Sequence, residues 1–471
     1  MKSKFAAFIL LFATVFVLAS CLGSNDDYTY TDDTAISAFS VTTAKQRKYV
    51  KTSDGKRDSL VIDEVTLSSY KFYIDQISGK IYNEDSLPCG VDASKLLCSA
   101  TASSGAVLIK KPTSDSLDYF SSSDSIDFTS VRQLQVISNS GMALRKYDVE
   151  VRVHKEQADS FEWHASAQCE ALKALAAVKA VAVGSKVLLL GTNGSNTLVF
   201  AHDGNSWSQC DVTLDGISHT LSAEAYKGVV SKGDSAYVSD GGNIICSADG
   251  SKWATMGTAT GVTRLVAASR HRLFGYAADG RLMASADKGA TWAVATIDDE
   301  QSLLPDGETA YTATAVDGYH NTDRVTLLGT RRSVADRNMT IWAKIDEWDK
   351  YSEDQAWAYY PVSKDNRYAA PSLTNLSAVA YDDAIYMLGT KSGDSEPSFY
   401  KSLDNGITWH VDTATVVLPT EFNQSTSGST SFALTVDKNK SLWLVNAKNG
   451  MTWRGRINRL GWKKHQTAFE E

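Results

Sequence analysis

Two acidic clusters, Asp298-Asp299-Glu300 and Asp346-Glu347-Asp349, carry the residue type that glycoside hydrolysis needs. That reaction sets one carboxylic acid against a leaving group and uses a second carboxylate as base or nucleophile. Adjacent acids repel one another and hydrate well, so solvated loops are the expected setting for both clusters. The eight histidines, His154, His164, His202, His219, His271, His320, His410 and His465, include no pair at helical or close loop spacing. No His-Glu-x-x-His, Cys-x-x-Cys, Walker loop or Gly-x-Ser-x-Gly elbow occurs, so metal, phosphate-cradling and serine chemistry lack their usual signatures. No catalytic residue, metal ligand or cofactor is assigned on these grounds. Recognition has a better set of residues: Arg331, Arg332, Arg337 and Lys391 offer cations near the acids Asp394 and Glu396.

Cys21 is the thiol whose position predicts a covalent fate. Basic Lys2 and Lys4 precede an apolar run from Phe5 to Leu18, too short to span a bilayer comfortably, and Leu18-Ala19-Ser20-Cys21 follows. This stretch resembles a bacterial lipobox, which implies cleavage before Cys21 and a diacylglycerol on its sulfur. Residues 1–20 are then a lipoprotein signal peptide, and 21–34 a polar, acidic tether. More than one acyl chain makes such an anchor stable. The acidic patch after the cysteine is similar to that of surface-exported Bacteroidetes lipoproteins, which implies an outer-membrane anchor with the protein periplasmic or surface-exposed. Five cysteines remain, so a complete disulfide framework is excluded, and Cys89 with Cys98 either bridge or stay separate thiols. A formal charge of -8 argues against a nucleic-acid partner.

The elements that position these residues read as strands throughout, as 31 Gly, 20 Tyr and 11 Trp suggest. From 35 to 156 short alternating runs are separated by turns, such as Ser78-Gly79 and Asn139-Ser140-Gly141. In the last run Tyr147, Val149, Val151 and Val153 alternate with charges. This module resembles an immunoglobulin-like β-sandwich without the Cys-Trp-Cys pattern of antibody domains.

Residues 157–471 repeat. Ser285-Ala-Asp287-Lys-Gly289-Ala-Thr-Trp292 and Ser402-Leu-Asp404-Asn-Gly406-Ile-Thr-Trp409 match almost position for position. Shortened copies hold Asp249, Gly250 and Trp253, and Asp203, Gly204 and Trp207. The repeat resembles the Asp-box, or BNR repeat, of β-propellers. Boxes or degenerate boxes ending at Trp207, Trp253, Trp292, Trp357, Trp409 and Trp462 predict six blades, with seven as the alternative, and Trp163 is placed to close the ring on the last blade. In each box the Asp is expected to accept from its own turn's N–H groups, Gly to take positive φ, and Trp to wedge between blades. These residues are therefore expected to be structural.

Lipobox, tether, sandwich and Asp-box propeller together resemble a Bacteroidetes lipoprotein family whose domains are of unknown function. Sialidases share the propeller scaffold, but they clamp substrate with an arginine ahead of the first box, and this propeller has no Arg before Arg264. The expected function is therefore non-catalytic binding of a glycan or an envelope protein. A glycoside hydrolase and an envelope scaffold are the alternatives. Long connections at 298–309, 361–374 and 412–430 place the expected binding rim on the later blades, with Arg331, Arg332, Arg337, Lys391, Asp394 and Glu396.

Overall fold

A computed structural model describes residues 30–51, 58–332, 337–348, 353–363, 365–424 and 431–458. Cys21, Asp349, Trp462 and His465 lie outside the described residues, as do the stretch expected to be a signal peptide and most of the expected tether. The chain divides between Asp159 and Ser160, and Ser160–Ile457 forms a compact unit of its own.

The N-terminal unit is a two-sheet β domain. One sheet orders Asp58–Thr66, Ile36–Lys51, Leu96–Ala102 and Ser125–Ile126; the other has six strands, with Leu144–Glu150 between Lys80–Asn83 and Arg132–Ile137. Alternation along Leu144–Glu150 buries Tyr147 and Val149 while their neighbours stay wet, so one face of the strand joins a core with Phe39, Val41, Ile81 and Val136. The strand stops at Glu150, and Val151 and Val153 pack against the core only in part. Cys89 and Cys98 are separate thiols; burial pushes the Cys98 thiol up to about 12.

The second unit is a β-propeller of six sheets. Blade one holds Ala177–Val183, Lys186–Thr192, Asn196–His202 and Trp207–Gln209; blades two to five repeat this antiparallel order, each beginning with its innermost strand. Blade two carries an additional outer hairpin, Thr213–Leu214 and Ile217–Ser218. Blade six takes its three inner strands from Phe432–Val436, Leu442–Asn446 and Met451–Ile457, and its outer strand from Phe161–Ala165, with Trp163 opposite Gly455. The sixth blade is thus completed by the segment that enters the domain, whereas the count of boxes along the sequence ends at Trp462. Because strand direction alternates, the loops between second and third strands share one face with the blade-to-blade connections. The loops between third and fourth strands lie on the other face, and all the Asp-boxes sit there.

The boxes behave as local turns. The Asp287 carboxylate accepts from the Thr291 N–H at 2.9 Å and from its hydroxyl at 2.6 Å, and the Trp292 indole donates to Gly289 O at 2.9 Å. Asp404 with Thr408, and Trp409 with Gly406, repeat the arrangement; Asp249 accepts from Ser251 and Lys252, and Trp253 donates to Gly250. Gly289 sits at φ +97° with its Cα against blade two, where a Cβ would lie 2.6 Å from Ile244 Cγ2, so glycine is needed for both conformation and space. Blade one departs from the pattern. His202 Nδ1 accepts the Gly204 N–H at 3.0 Å, a role the other boxes give to serine, and the Trp207 indole donates to Thr452 Oγ1 of blade six at 2.8 Å.

Blade four replaces its box altogether. The pairing of Ala343 with Ala358 puts Lys344 where the boxes carry Ser, and its ammonium reaches Asp354 at 3.0 Å above the buried Trp357. Arg272 of blade three bridges Asp354 and Asp346, and Asp346, fully buried, also accepts from the Ser269 hydroxyl. The sequence places the acidic cluster at 346 in a solvated loop. Its first carboxylate is instead fully buried and paired with Arg272, which a buried charge requires. Asp298 accepts the Tyr359 N–H at 2.8 Å and so also serves the blade.

Candidate binding site

The site is built where the connection into blade four is stitched to the loop between that blade's second and third strands. Gly307 N–H donates to Thr330 O at 2.8 Å and Thr330 N–H to Glu308 O at 2.9 Å, while Glu308 N–H reaches Thr330 Oγ1 at 3.0 Å. The approach is so close that a Cβ on Gly329 would lie 2.1 Å from Glu308 O. Two consequences follow for side chains nearby. The stitched carbonyls of Gly307 and Asp306 receive the Arg264 guanidinium at 3.2 and 3.4 Å, and the Asp306 carboxylate receives the Arg332 main-chain N–H at 2.6 Å.

Arg264 opens the inner strand of blade three and lies over the Tyr276 ring of the neighbouring strand, 5.7 Å from its centroid. Around this pair a cavity of about 640 Å³ is walled by Glu224 and Lys227 from the connection into blade two, by Tyr276 to Gly280, by the connection 301–306 and by Arg332. A second cavity of about 310 Å³ adjoins it at the mouth of the ring. It shares Lys227, Arg264 and Arg332 and adds Lys179, Glu308 and Phe432. Both open on the face opposite the boxes.

The charges here are set by partial burial. Burial lowers the Arg264 pKa, and the nearby Arg332 lowers it further. The Tyr276 ring is buried and its hydroxyl has no hydrogen-bond partner among the described residues; burial raises its pKa. Lys227 is neutralised by Glu224, whereas neither the Arg264 nor the Arg332 guanidinium has a carboxylate partner among the described ion pairs. Beside the cavity, His219 Nε2 contacts Asp240 at 2.8 Å, and the Ser222 N–H donates to the other carboxylate oxygen at 2.9 Å. Burial raises the Asp240 pKa, but the Ser222 and His219 hydrogen bonds outweigh it and hold it low.

Of the residues expected on a binding rim, Arg332 lines both cavities. Arg331 points its guanidinium to Ser302 O at 3.5 Å; Arg337 offers its carbonyl to Ser372, and Lys391 its carbonyl to Asp394. Lys391, Asp394 and Glu396 stand exposed on the blade-five loop and line neither cavity. The larger cavity therefore spans blades two to four, and the smaller one is also lined by residues of blades one, five and six. Nothing in the sequence singles out Glu224, Lys227, Arg264, Tyr276 and Asp306 as ligand-binding; the long connection at 298–309 is a signal for Asp306 alone. Among the described residues no group of three or more His, Cys, Asp or Glu could hold a metal.

The family model described as the DUF6242 beta propeller domain matches residues 157–465, and that of the DUF6242 N-terminal domain matches residues 39–151. No curated protein matches the chain. Among solved structures, a lectin of Aleuria aurantia in complex with Fucα1-6GlcNAc is 15% identical, with 59% of this chain and 92% of the lectin covered at a TM-score of 0.37. YCF48 of Cyanidioschyzon merolae is 15% identical over 62% of this chain and 98% of its own, with a TM-score of 0.33. A Trichoderma reesei carbohydrate-active enzyme of family AA12 is 14% identical over 64% and 96%, with a TM-score of 0.36.

Proposed function

This chain belongs to the DUF6242 family, in which an N-terminal domain precedes a β-propeller, and we propose that its propeller is a non-catalytic glycan-binding module of a lipid-anchored envelope protein. The observation that carries the reading is the 640 Å³ cavity, in which the Arg264 guanidinium and the Asp306 carboxylate are held by main-chain contacts before any ligand arrives. A volume of this size suits one or two sugar units, and a concave polar wall suits hydroxyl-rich ligands better than the flatter surface of a protein partner. Prior fixation lowers the entropy lost on binding.

The reading is binding without turnover, with the wall's acids given to positioning: Glu224 faces Lys227, and one Asp306 oxygen holds the Arg332 N–H. The N-terminal domain acts as an immunoglobulin-like spacer between the Cys21 anchor and the propeller.

The test is to incubate the purified chain with a broad glycan and glycoprotein panel, recording both retention and released sugar. Retention without release is expected. Release of sugar would overturn the non-catalytic reading, and failure to retain any glycan while an envelope protein is captured would overturn the glycan reading.

A further inference from the structure

The two guanidiniums of the large cavity are an unusual pairing for an unliganded wall. Arg264, half-buried, and Arg332, exposed, line the same two cavities, and no described ion pair supplies either with a carboxylate. Arg264 cannot turn away freely, because the Gly307 and Asp306 carbonyls hold two of its nitrogens and the Tyr276 ring lies beneath it. Arg332 is tethered at its main chain by Asp306. The planar Arg264 guanidinium, held by those two carbonyls, matches the two oxygens of a carboxylate. Tyr276 lines the same wall, and its buried hydroxyl has no hydrogen-bond partner among the described residues.

We infer that the cavity recognises an acidic saccharide, with the sugar's carboxylate bound between Arg264 and Arg332. The inference rests on the glycan reading above and narrows it to uronic acids and their oligosaccharides. Bringing a carboxylate between two like charges relieves their mutual repulsion, which gives the acid an advantage over a neutral sugar of the same shape. The Asp306 carboxylate, one oxygen of which holds the Arg332 N–H, remains an acceptor for ring hydroxyls and disfavours a second negative charge on the ligand. A singly charged carboxylate therefore fits better than a phosphate.

Isothermal titration of the full chain with glucuronic acid, galacturonic acid, the methyl ester of each and inorganic phosphate tests this. At least one uronate is expected to bind saturably and about tenfold or more tighter than its ester. Arg332→Gln, which alters an exposed side chain and leaves the main-chain contact, should weaken the acid about tenfold and the ester much less, with the melting temperature unchanged. Arg264→Gln should weaken it further, and Arg332→Gln carries the test if Arg264→Gln fails to fold. Equal binding of acid and ester overturns the carboxylate site while the glycan reading stands. Tighter binding of phosphate than of either uronate overturns the saccharide assignment. No binding of either uronate by a chain that retains neutral glycans overturns the inference alone, and no binding of any glycan removes the reading beneath it.

Discussion

Lys179, on the inner strand of blade one, donates its ammonium to the main-chain carbonyl of Thr309 at the start of blade four, 2.6 Å away. Sequence separates the two residues by more than two blades, and in a six-bladed ring they face one another across the central channel. Below them, the Tyr311 hydroxyl of blade four accepts the Ser231 N–H of blade two at 3.0 Å and donates to its carbonyl at 3.3 Å. The ring is thus tied across its middle as well as around its circumference.

Burial pushes the Lys179 pKa down to about 8, with Glu308 opposing and Arg264 and Lys227 adding to the shift. The unfolded chain keeps this proton up to about pH 10.4. Between these values the unfolded state binds the extra proton, so stability rises with pH, by at most about 1.4 kcal/mol per pH unit. Below pH 8 the whole cost of burying the charge is present. Urea unfolding at pH 7.5 and 9.5 should show this gain in the parent chain and not in Lys179→Met; equal pH responses in the two proteins would refute it.

The Asp-boxes should matter to stability and not to ligand. Asp287→Ala and Asp404→Ala each leave a turn without its acceptor, and a loss of roughly 1–3 kcal/mol is expected in urea unfolding. Thr291 hydrogen bonds, chiefly through its hydroxyl, hold Asp287 at about 2. Its contribution is therefore complete above about pH 4 and disappears as pH falls toward 2. Glycan retention should be unchanged in both variants, because the boxes lie on the face opposite the cavity. A selective loss of binding in a stably folded variant would contradict the structural role.

His202 makes the first blade sensitive to mild acid. It is buried between Trp207 and Trp443, with ring centroids at 5.0 and 4.7 Å, and burial lowers its pKa to about 4. The unfolded histidine takes up a proton near pH 6.5 and the folded one only near 4, so stability falls as pH drops through that window, by at most about 3 kcal/mol. His202→Asn preserves an acceptor for the Gly204 N–H and removes the titration. Thermal melts at pH 7 and 4.5 should show a smaller acid loss in that variant than in the parent; an identical loss would assign the sensitivity elsewhere.

The anchor is tested at Cys21. Labelling of growing cells with a radioactive fatty acid should mark the parent protein, while Cys21→Ala should be unlabelled and recovered outside the membrane fraction. Labelling of the alanine variant would disprove acylation at this cysteine.

Those features of the chain that depend on near neighbours are legible in the order of its residues. An Asp-box closes its hydrogen bonds within about four residues, as Asp404 does with Ile407 and Thr408, so residue type and spacing suffice to identify it and, by repetition, the propeller. Alternation similarly exposes the strand carrying Tyr147 and Val149. The replaced box of blade four is not legible, because Asp354 pairs both with Lys344 and with Arg272 of another blade.

The binding face belongs to the same second category. Glu224, Arg264, Asp306 and Arg332 come from four separate connections and strand ends, and no spacing along the chain brings them together. Their convergence is produced by the closure of the ring and by the stitching of Gly307 and Glu308 to Thr330. Sequence alone determined an all-β chain, the repeat and the turns, since these are contacts within one blade. Which cations share a cavity was decided only by tertiary structure, since it depends on how successive blades are rotated about a common axis.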